Sequence, residues 1–195
     1  IELTPDLVDG IHDDGGCILG TSRGEQSTEE IVRTLDRLNI NVLFTIGGDG
    51  TQRGARDIAE AARARGLMVS VIGIPKTIDN DISYVQSSFG FETAVSESRT
   101  AIDSANAEAT GARNGVGLVK LMGRESGFIA AHATLANNDV NYCLVPEVVF
   151  SIKGFLAVLR ERLERRGHAV IVVGEGAGQD LMEETGERDA SGNVR

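Results

Sequence analysis

Two aspartates separated by one residue, Asp79 and Asp81, lie at the end of a polar loop that follows an apolar run. If the chain is extended there, both side chains point the same way, because alternate residues of a strand share a face. Phosphoryl transfer to a hydroxyl needs positioning, neutralisation of charge and a carboxylate that takes the hydroxyl proton. One aspartate could be that base, with Lys76 and the Thr77 hydroxyl contacting the transferred group. A polar surface turn explains the loop equally well, since Asp and Asn are common in turns.

A second loop, Gly47 to Thr51, also separates an apolar run from a helical pattern. Its glycines, Gly48 and Gly50 among them, allow the backbone to approach a ligand closely. The N-terminus of the following helix favours phosphate. Asp49 repels phosphate, so a nucleotide bound here would need a divalent cation, most often Mg²⁺. The alternative is a tight turn in which Asp49 caps the helix, and the pattern GxxxxGK[ST] is absent.

Three further loops carry charged residues that suit phosphate or sugar. Arg124 follows an apolar run and is expected at the positive end of a helix, a suitable place for phosphate. Glu175 could hydrogen-bond sugar hydroxyls, and Arg23 could reach a phosphate. Each residue alone could equally be an ordinary solvated charge. Together, the five loops should leave one edge of one sheet, where ligands bind in parallel α/β folds.

The elements that position these loops alternate between strands and helices. Short runs rich in Val and Ile are typical of strands buried on both faces of a parallel sheet. The predicted strands are Cys17–Leu19, Val42–Ile46, Val69–Ile74, Val116–Lys120, Tyr142–Val145 and Ala169–Val173. One predicted helix begins behind a capping box at Ser27. Four more predicted helices cover about 51–65, 91–111, 123–136 and 152–166. The pattern predicts an α/β class with a mainly parallel sheet.

The composition narrows the possible partners. The chain has 195 residues and a formal net charge of −10, which argues against nucleic acid and against an anionic membrane surface. No stretch approaches the roughly 20 apolar residues of a membrane span. Cys17 and Cys143 are expected to be small core residues in a reducing compartment such as the cytoplasm. Because the chain opens at Ile1 without Met, we expect a fragment of a longer protein.

Taken together, the loops resemble the phosphofructokinase family. The motifs occur in the family's order across nearly the whole chain: LGTSRG (19–24), IGGDGTQRGA (46–55), PKTIDNDI (75–82), FGFETAV (89–95), KLMGRESGFIA (120–130), VPEV (145–148) and GEGAGQD (174–180). The chain looks most similar to the ATP-dependent members of plants and kinetoplastids. The resemblance implies a three-layer α/β/α fold that is incomplete at both ends. It also implies a nucleotide half (residues 1–90), a sugar-phosphate half (91–195) and an active site between them.

The resemblance implies phosphoryl transfer from ATP to the 1-hydroxyl of fructose 6-phosphate. It assigns the base to Asp79, with Thr77 and Asp81 orienting it and binding sugar phosphate, and it assigns Mg²⁺ to Asp49. The other implied contacts are Arg23, Gly48, Gly50, Thr51, Gly54 and Lys76 for the nucleotide, and Met122, Gly123, Arg124 and Glu175 for fructose 6-phosphate. Arg124 is also implied to steady the transferred phosphoryl group. Members of the family are commonly regulated homotetramers.

The phosphoryl donor depends on two positions. Members that use pyrophosphate carry Asp at the position of Gly50, where a carboxylate would crowd the α-phosphate of ATP. Lys76 is shared with the pyrophosphate enzymes, but the plant and kinetoplastid ATP enzymes combine Gly with Lys, which favours ATP. The alternatives are a pyrophosphate-dependent enzyme and a non-catalytic binding module or inert fragment. NAD kinases and lipid kinases share the Gly-Gly-Asp-Gly loop but lack the PKTIDND and MGR loops.

Two parts of the family pattern have no counterpart in this chain. They are the opening strand with its glycine-rich loop and a later segment that contacts sugar phosphate. In many members an Arg early in the strand before Met122 also reaches the neighbouring subunit's substrate, but here that strand opens with Gly115, Val116 and Gly117. That contact therefore cannot be transferred to this chain.

Overall fold

The computed structural model of the protein describes residues 2–21 and 26–181. In chain order its elements are helix α1 (Pro5–Val8), helix α2 (Thr28–Arg37), strand β1 (Val42–Gly47), helix α3 (Asp49–Ala64), strands β2 (Ser70–Thr77) and β3 (Phe89–Gly90), helix α4 (Phe91–Gly111), strand β4 (Gly115–Leu121), helix α5 (Phe128–Leu135), strand β5 (Tyr142–Leu144), helix α6 (Ile152–Arg166) and strand β6 (His168–Gly174). Short 3₁₀ turns cover Ile11–Asp13 and Gln179–Leu181. The predicted alternation of strands and helices is confirmed.

The strands form two parallel sheets, with the orders β1-β2-β3 and β4-β6-β5. In the first sheet Gly47 pairs with Pro75, so the glycine-rich loop and the aspartate loop leave adjacent strand ends. In the second sheet Leu121 pairs with Gly174, so the loops of Arg124 and Glu175 also leave adjacent strand ends. Strand β3 was not predicted, because two residues are too few to produce a periodic pattern.

Helices α2 and α3 cover one face of the first sheet. Val32, Leu35, Ile58 and Ala62 form a buried cluster against this sheet. On the other face Val42, Phe44 and Ile46 of β1 are 50%, 58% and 56% exposed. The prediction that β1 is buried on both faces is therefore wrong for the described part of the chain. The run is apolar on both faces, so its sequence does not reveal which face a helix covers.

Strand β6 lies at the centre of the second sheet and is buried on both faces. Its residues Val170 and Val172 pack into a cluster with Ile102 of α4 and Ala130 of α5. Successive strand residues face opposite sides, so the buried Ala169 and Ile171 face the other layer, and α6 also packs against β6. At β6 this sheet therefore has helices on both faces, as the predicted three-layer class requires. Val116 and Leu118 of β4, which pair with Ala169 and Ile171, are 44% and 66% exposed, so β4 is covered on one face only.

Local signals set several helix ends. The Ser27 hydroxyl accepts a hydrogen bond from the Glu30 amide at 3.2 Å, as the predicted cap requires. Gly66 and Gly167 follow α3 and α6 with φ of 71° and 76°, the left-handed conformation of glycine at helix ends.

The predicted strand Cys17–Leu19 is wrong. These residues form a turn closed by a hydrogen bond from the Gly20 amide to the Cys17 carbonyl, and Cys17 is exposed rather than in the core. Gly16 and Gly20 have φ of 91° and 73°, values that break an extended run of only three apolar residues. Cys143 lies half-buried in β5. In the described ranges no helix has both the length and the hydropathy that a bilayer crossing requires.

Candidate functional site

Loops from both sheets meet at a polar cleft of about 180 Å³. The cleft is lined by Asp79, Asp81, Arg124, Glu125 and Ser126. The two aspartates belong to the loop after β2, and the other three residues belong to the loop after β4. The prediction that these loops leave one edge of one sheet is wrong, because they leave two separate sheets. The structure nevertheless brings the two aspartates and Arg124 together at the carboxyl ends of the strands.

The aspartate loop is held by a dense set of hydrogen bonds. The Asp79 amide donates to the Thr77 hydroxyl at 3.2 Å. Asn80 is buried with φ of 54°, and its side-chain oxygen accepts from the Ser88 amide at 2.9 Å. Its side-chain nitrogen donates to the Gln86 carbonyl, and the Ser88 hydroxyl donates to the Thr77 carbonyl at 2.7 Å. These contacts hold Asp79 in one backbone conformation, although the sequence analysis did not single out Asn80 or Ser88.

The environment of Asp79 raises the pKa of its carboxyl group above the ordinary value. Partial burial is the largest cause, and the neighbouring Asp81 carboxylate adds to it. The Arg124 guanidinium and the hydrogen bond with Thr77 act against this rise, while Glu175 adds a smaller increase. A carboxylate with a raised pKa is the stronger proton acceptor, which suits a general base.

The glycine-rich loop lies against the aspartate loop. A Cβ atom on Gly48 would lie 3.4 Å from Cβ of Thr77, so the two loops lie close together at these residues. Gly50 and Thr51 lie in the first turn of α3. Cβ atoms added to Gly50 or Gly54 would meet nothing within 4 Å, which leaves space beside the start of this helix. The N-terminus of a helix with such space beside it can accept phosphate.

Gln52 connects the two strand ends, a contact that the sequence analysis missed. Its amide nitrogen donates to the Gly47 carbonyl and to the Ile74 carbonyl, each at 3.0 Å. Gly73 makes room for this side chain, because a Cβ there would collide with the Gln52 amide oxygen. The only sequence signal is a long polar side chain one turn into a helix that packs on the sheet.

Asp49 is the first residue of α3 and pairs with Arg53 at 2.7 Å. In the described ranges, no group of three or more His, Cys, Asp or Glu side chains could hold a metal ion. Mg²⁺ usually keeps several waters and binds one or two carboxylates together with substrate phosphates. A single exposed carboxylate beside the open start of α3 fits that donor set, with the nucleotide supplying the other oxygens. Asp49 would have to release Arg53 at least in part.

The helix after Arg124 begins later than predicted. We expected it from Gly123, but α5 covers Phe128–Leu135. Gly123 has φ of 120°, which no helix allows, and the loop continues to Gly127. The Gly127 amide donates to the Glu147 carboxylate at 2.7 Å, so the start of α5 already has an anionic partner. The placement of Arg124 in the positive first turn of this helix is therefore wrong.

The loop of Glu175 packs on the loop of Arg124 through its backbone. The Glu175 amide donates to the Leu121 carbonyl at 2.8 Å, and the Gly176 amide donates to the Gly123 carbonyl at 3.2 Å. A Cβ on Gly176 would collide with the Arg124 backbone, so the two loops can approach this closely only with glycine there. Both Arg124 and Glu175 are exposed and influence the pKa of Asp79, which places them around one site.

Two other residues predicted for the site do not line the described cleft, and a third lies outside the described residues. Met122 is 63% exposed and does not line the cleft, and the exposed Lys76 precedes Thr77 at the end of β2. Arg23 lies outside the described residues. The roles assigned to all these side chains stay predictions.

A comparison with protein families agrees with this geometry. The sequence profile described as Phosphofructokinase matches residues 1–194. The chain belongs to the phosphofructokinase family.

Curated relatives within this family are about half identical to the chain. A protein named ATP-dependent 6-phosphofructokinase from Borreliella burgdorferi is 53% identical over 204 residues, covering 100% of this chain and 46% of its own length. One of the same name from Trypanosoma cruzi is 54% identical over 195 residues, covering 100% and 40%. ATP-dependent 6-phosphofructokinase 1 of Arabidopsis thaliana is 53% identical over 201 residues, covering 99% and 42%. The chain thus spans less than half of the length of these relatives.

Solved structures of phosphofructokinases share the fold. A pyrophosphate-dependent phosphofructokinase from Marinobacter aquaeolei matches with a TM-score of 0.71 and 26% identity, covering 83% of this chain and 43% of that one. The Saccharomyces cerevisiae phosphofructokinase matches with a TM-score of 0.72 and 24% identity, covering 90% and 27%. The phosphofructokinase-like α/β fold expected from the sequence is confirmed.

Proposed function

We propose that the complete protein transfers a phosphoryl group from ATP to the 1-hydroxyl of fructose 6-phosphate, giving fructose 1,6-bisphosphate and ADP. The observation that carries this proposal is the Asp79 carboxyl with its raised pKa, which lines a polar cleft together with Arg124. The glycine-rich loop lies close to the same aspartate loop at Gly48 and Thr77. The names of the relatives from three distant groups of organisms support the same reaction.

In this proposal each loop has one task. The Asp79 carboxylate accepts the proton of the sugar hydroxyl as the hydroxyl oxygen attacks phosphorus. Arg124, on the other wall of the cleft, offsets negative charge on the phosphoryl group. The free amides in the first turn of α3, around Gly50 and Thr51, receive the nucleotide phosphates. Glu175 accepts hydrogen bonds from hydroxyls of the sugar, and Asp81 orients the base and contributes to the sugar-phosphate site.

Asp49 is the residue that would hold Mg²⁺ in this proposal. When bound, the ion supplies neutralisation of phosphate charge. To bind the ion, Asp49 has to weaken its salt bridge with Arg53. Because this salt bridge is exposed to solvent, breaking it costs little free energy. Loss of activity on chelation, restored by added Mg²⁺, checks this assignment.

The test uses the complete gene product that contains these residues, with fructose 6-phosphate, Mg²⁺ and ATP. Asp79→Asn keeps the size of the side chain but removes the base, so kcat should fall by about 10²–10⁴-fold with little change in KM. Asp139→Asn is the matched control, since Asp139 is an exposed aspartate that does not line the cleft. A wild-type protein without this activity would refute the proposal, and a fully active Asp79→Asn would remove Asp79 from it.

Pyrophosphate is the second candidate donor. It is favoured by the name of the Marinobacter aquaeolei structure and by the presence of Lys76. The open space at Gly50 favours ATP, because a side chain there would project into it. Gly50→Asp should therefore abolish the use of ATP while leaving fructose 6-phosphate binding intact. If the variant still uses ATP and gains no use of pyrophosphate, the steric argument fails.

We also propose, from the resemblance, a homotetramer located in the cytoplasm. Sedimentation of the complete protein tests the assembly, and cell fractionation tests the location.

A further inference from the structure

The hydroxyl of Ser126 connects the aspartate loop to the loop that carries Arg124. Ser126 is only 5% exposed, and its hydroxyl donates a hydrogen bond of 2.7 Å to the carbonyl oxygen of Asp79. The two residues are 47 positions apart in sequence. Within residues 2–21 and 26–181, no other hydrogen bond joins the aspartate loop to the loop that carries Arg124.

This bond completes the support of Asp79. The Asp79 amide is held by Thr77 within its own loop, and the Asp79 carbonyl is held by Ser126 from the other sheet. With the peptide groups on both sides of its Cα atom held, the direction of the Asp79 Cα–Cβ bond is also set. Without Ser126, the carbonyl would have to find water in a partly closed site, and one end of this support would be lost.

The same bond links the backbone of Asp79 to the loop that carries Arg124. Arg124 lies two residues before Ser126 in one short loop. Anchoring Ser126 to the Asp79 backbone therefore fixes the position from which the Arg124 side chain extends towards the cleft. A shift of about 1 Å in such an arrangement can cost about 100-fold in rate.

We propose that Ser126 is a positioning residue for the phosphoryl-transfer step, because its hydroxyl locks the backbone of the base Asp79 to the loop of Arg124. This inference rests on the proposed function. The Ser126 hydroxyl donates its proton to the Asp79 carbonyl rather than to the substrate, so its role is to position Asp79. Its loss should change the rate of the step rather than the capture of sugar phosphate.

The experiment compares Ser126→Ala with Ser98→Ala in the complete gene product. Ser98 is 6% exposed, and its hydroxyl also donates to a backbone carbonyl, that of Val95 at 2.6 Å. It lies in α4, which makes it a control for loss of a buried serine hydrogen bond alone. Ser126→Ala should lower kcat by about 10–100-fold and change KM for fructose 6-phosphate by less than about threefold. Ser98→Ala should change kcat by less than about threefold.

A second measurement follows amide hydrogen exchange in residues 77–82. Ser126→Ala should speed exchange there, whereas Ser98→Ala should not. If Ser126→Ala does not fold, Ser126→Cys makes the same comparison, since its thiol fills the space but donates only weakly.

Unchanged kcat in Ser126→Ala, an equal loss in Ser98→Ala, or a loss confined to KM would overturn the inference. If the wild-type protein shows no phosphofructokinase activity, the proposed function fails. The exchange data then decide the positioning role, and unchanged exchange in residues 77–82 rejects it.

Discussion

Substitutions at Gln52 and at Gly73 should have strongly coupled effects on the free energy of unfolding. The Gln52 amide nitrogen bridges the Gly47 and Ile74 carbonyls, and its oxygen occupies the space that a Cβ at Gly73 would need. Gly73→Ala must therefore push the end of the Gln52 side chain away and break the same two hydrogen bonds that Gln52→Ala removes. We expect the two single variants to lose nearly the same stability.

The size of this loss follows from the two bonds. Each is worth about 0.5–1.5 kcal/mol net, so either single variant should lose about 1–3 kcal/mol. Each kcal/mol lowers Tm by about 2–4 °C in a domain of about 150–250 residues and by less in a longer protein, so the fall in the complete gene product should not exceed about 12 °C. In the Gln52→Ala background the collision is absent, and Gly73→Ala should become neutral or stabilise by about 0.4–1 kcal/mol, because alanine restricts the unfolded chain.

The assay is a double-mutant cycle on the complete gene product, with denaturant midpoints and Tm measured for all four proteins. The coupling should be close in size to the loss in one single variant. If the losses of the two single variants add in the double variant, Gly73→Ala is destabilising for a reason other than Gln52, and the argument fails.

Three further predictions concern the cleft and α3. Asp79→Asn should be less active but more stable than the wild type at neutral pH. Because the pKa of Asp79 is raised on folding, the folded state binds the proton of this carboxyl more tightly than the unfolded chain does. The wild type therefore loses stability as the pH rises from the ordinary pKa of an aspartate through the raised pKa of Asp79, and Asp79→Asn does not. Denaturation of both proteins at acid and neutral pH checks this, and an advantage of Asp79→Asn only in acid would contradict it. Asp81→Asn removes a charge that raises the pKa of Asp79 and should move the acid limb of kcat/KM to lower pH, whereas Arg124→Gln should move it to higher pH. A pH–rate profile in which both shifts have the same sign would reject this account. Gly54→Ala adds a Cβ in open space within α3 and should stabilise by about 1 kcal/mol. Its KM for ATP should nevertheless rise if the nucleotide occupies that space, and calorimetry with kinetics separates the two effects.

The candidate site could be predicted in part because its loops carry local signals. Asp79 and Asp81 stand next to the end of an apolar run, and a strand end in a parallel sheet is a place where ligands bind. The supporting residues were harder to find. Asn80, Ser88 and Gln52 are ordinary polar residues in sequence, and they support the site by donating to carbonyls that lie 5 to 22 positions away in the chain.

Local sequence signals account for the element types and most of their limits. Ser27 caps a helix through an atom only three residues away, and glycines end α3 and α6 because they tolerate a left-handed backbone. Such signals act within a turn or two of the chain, so they can be read without knowledge of the fold. Where the local signal was short, as at Cys17–Leu19, the prediction was wrong.

Tertiary structure alone decided which loops face each other and which strand faces are covered. The bond between Ser126 and Asp79, the capture of the Gly127 amide by Glu147 and the exposed face of β1 all depend on strand order and helix packing. A hydrogen bond across 47 residues leaves no periodic trace, because its partners are brought together only when two separate sheets have formed and packed. The residue types thus indicate the chemistry of the site, whereas its geometry depends on how the two sheets pack in the folded chain.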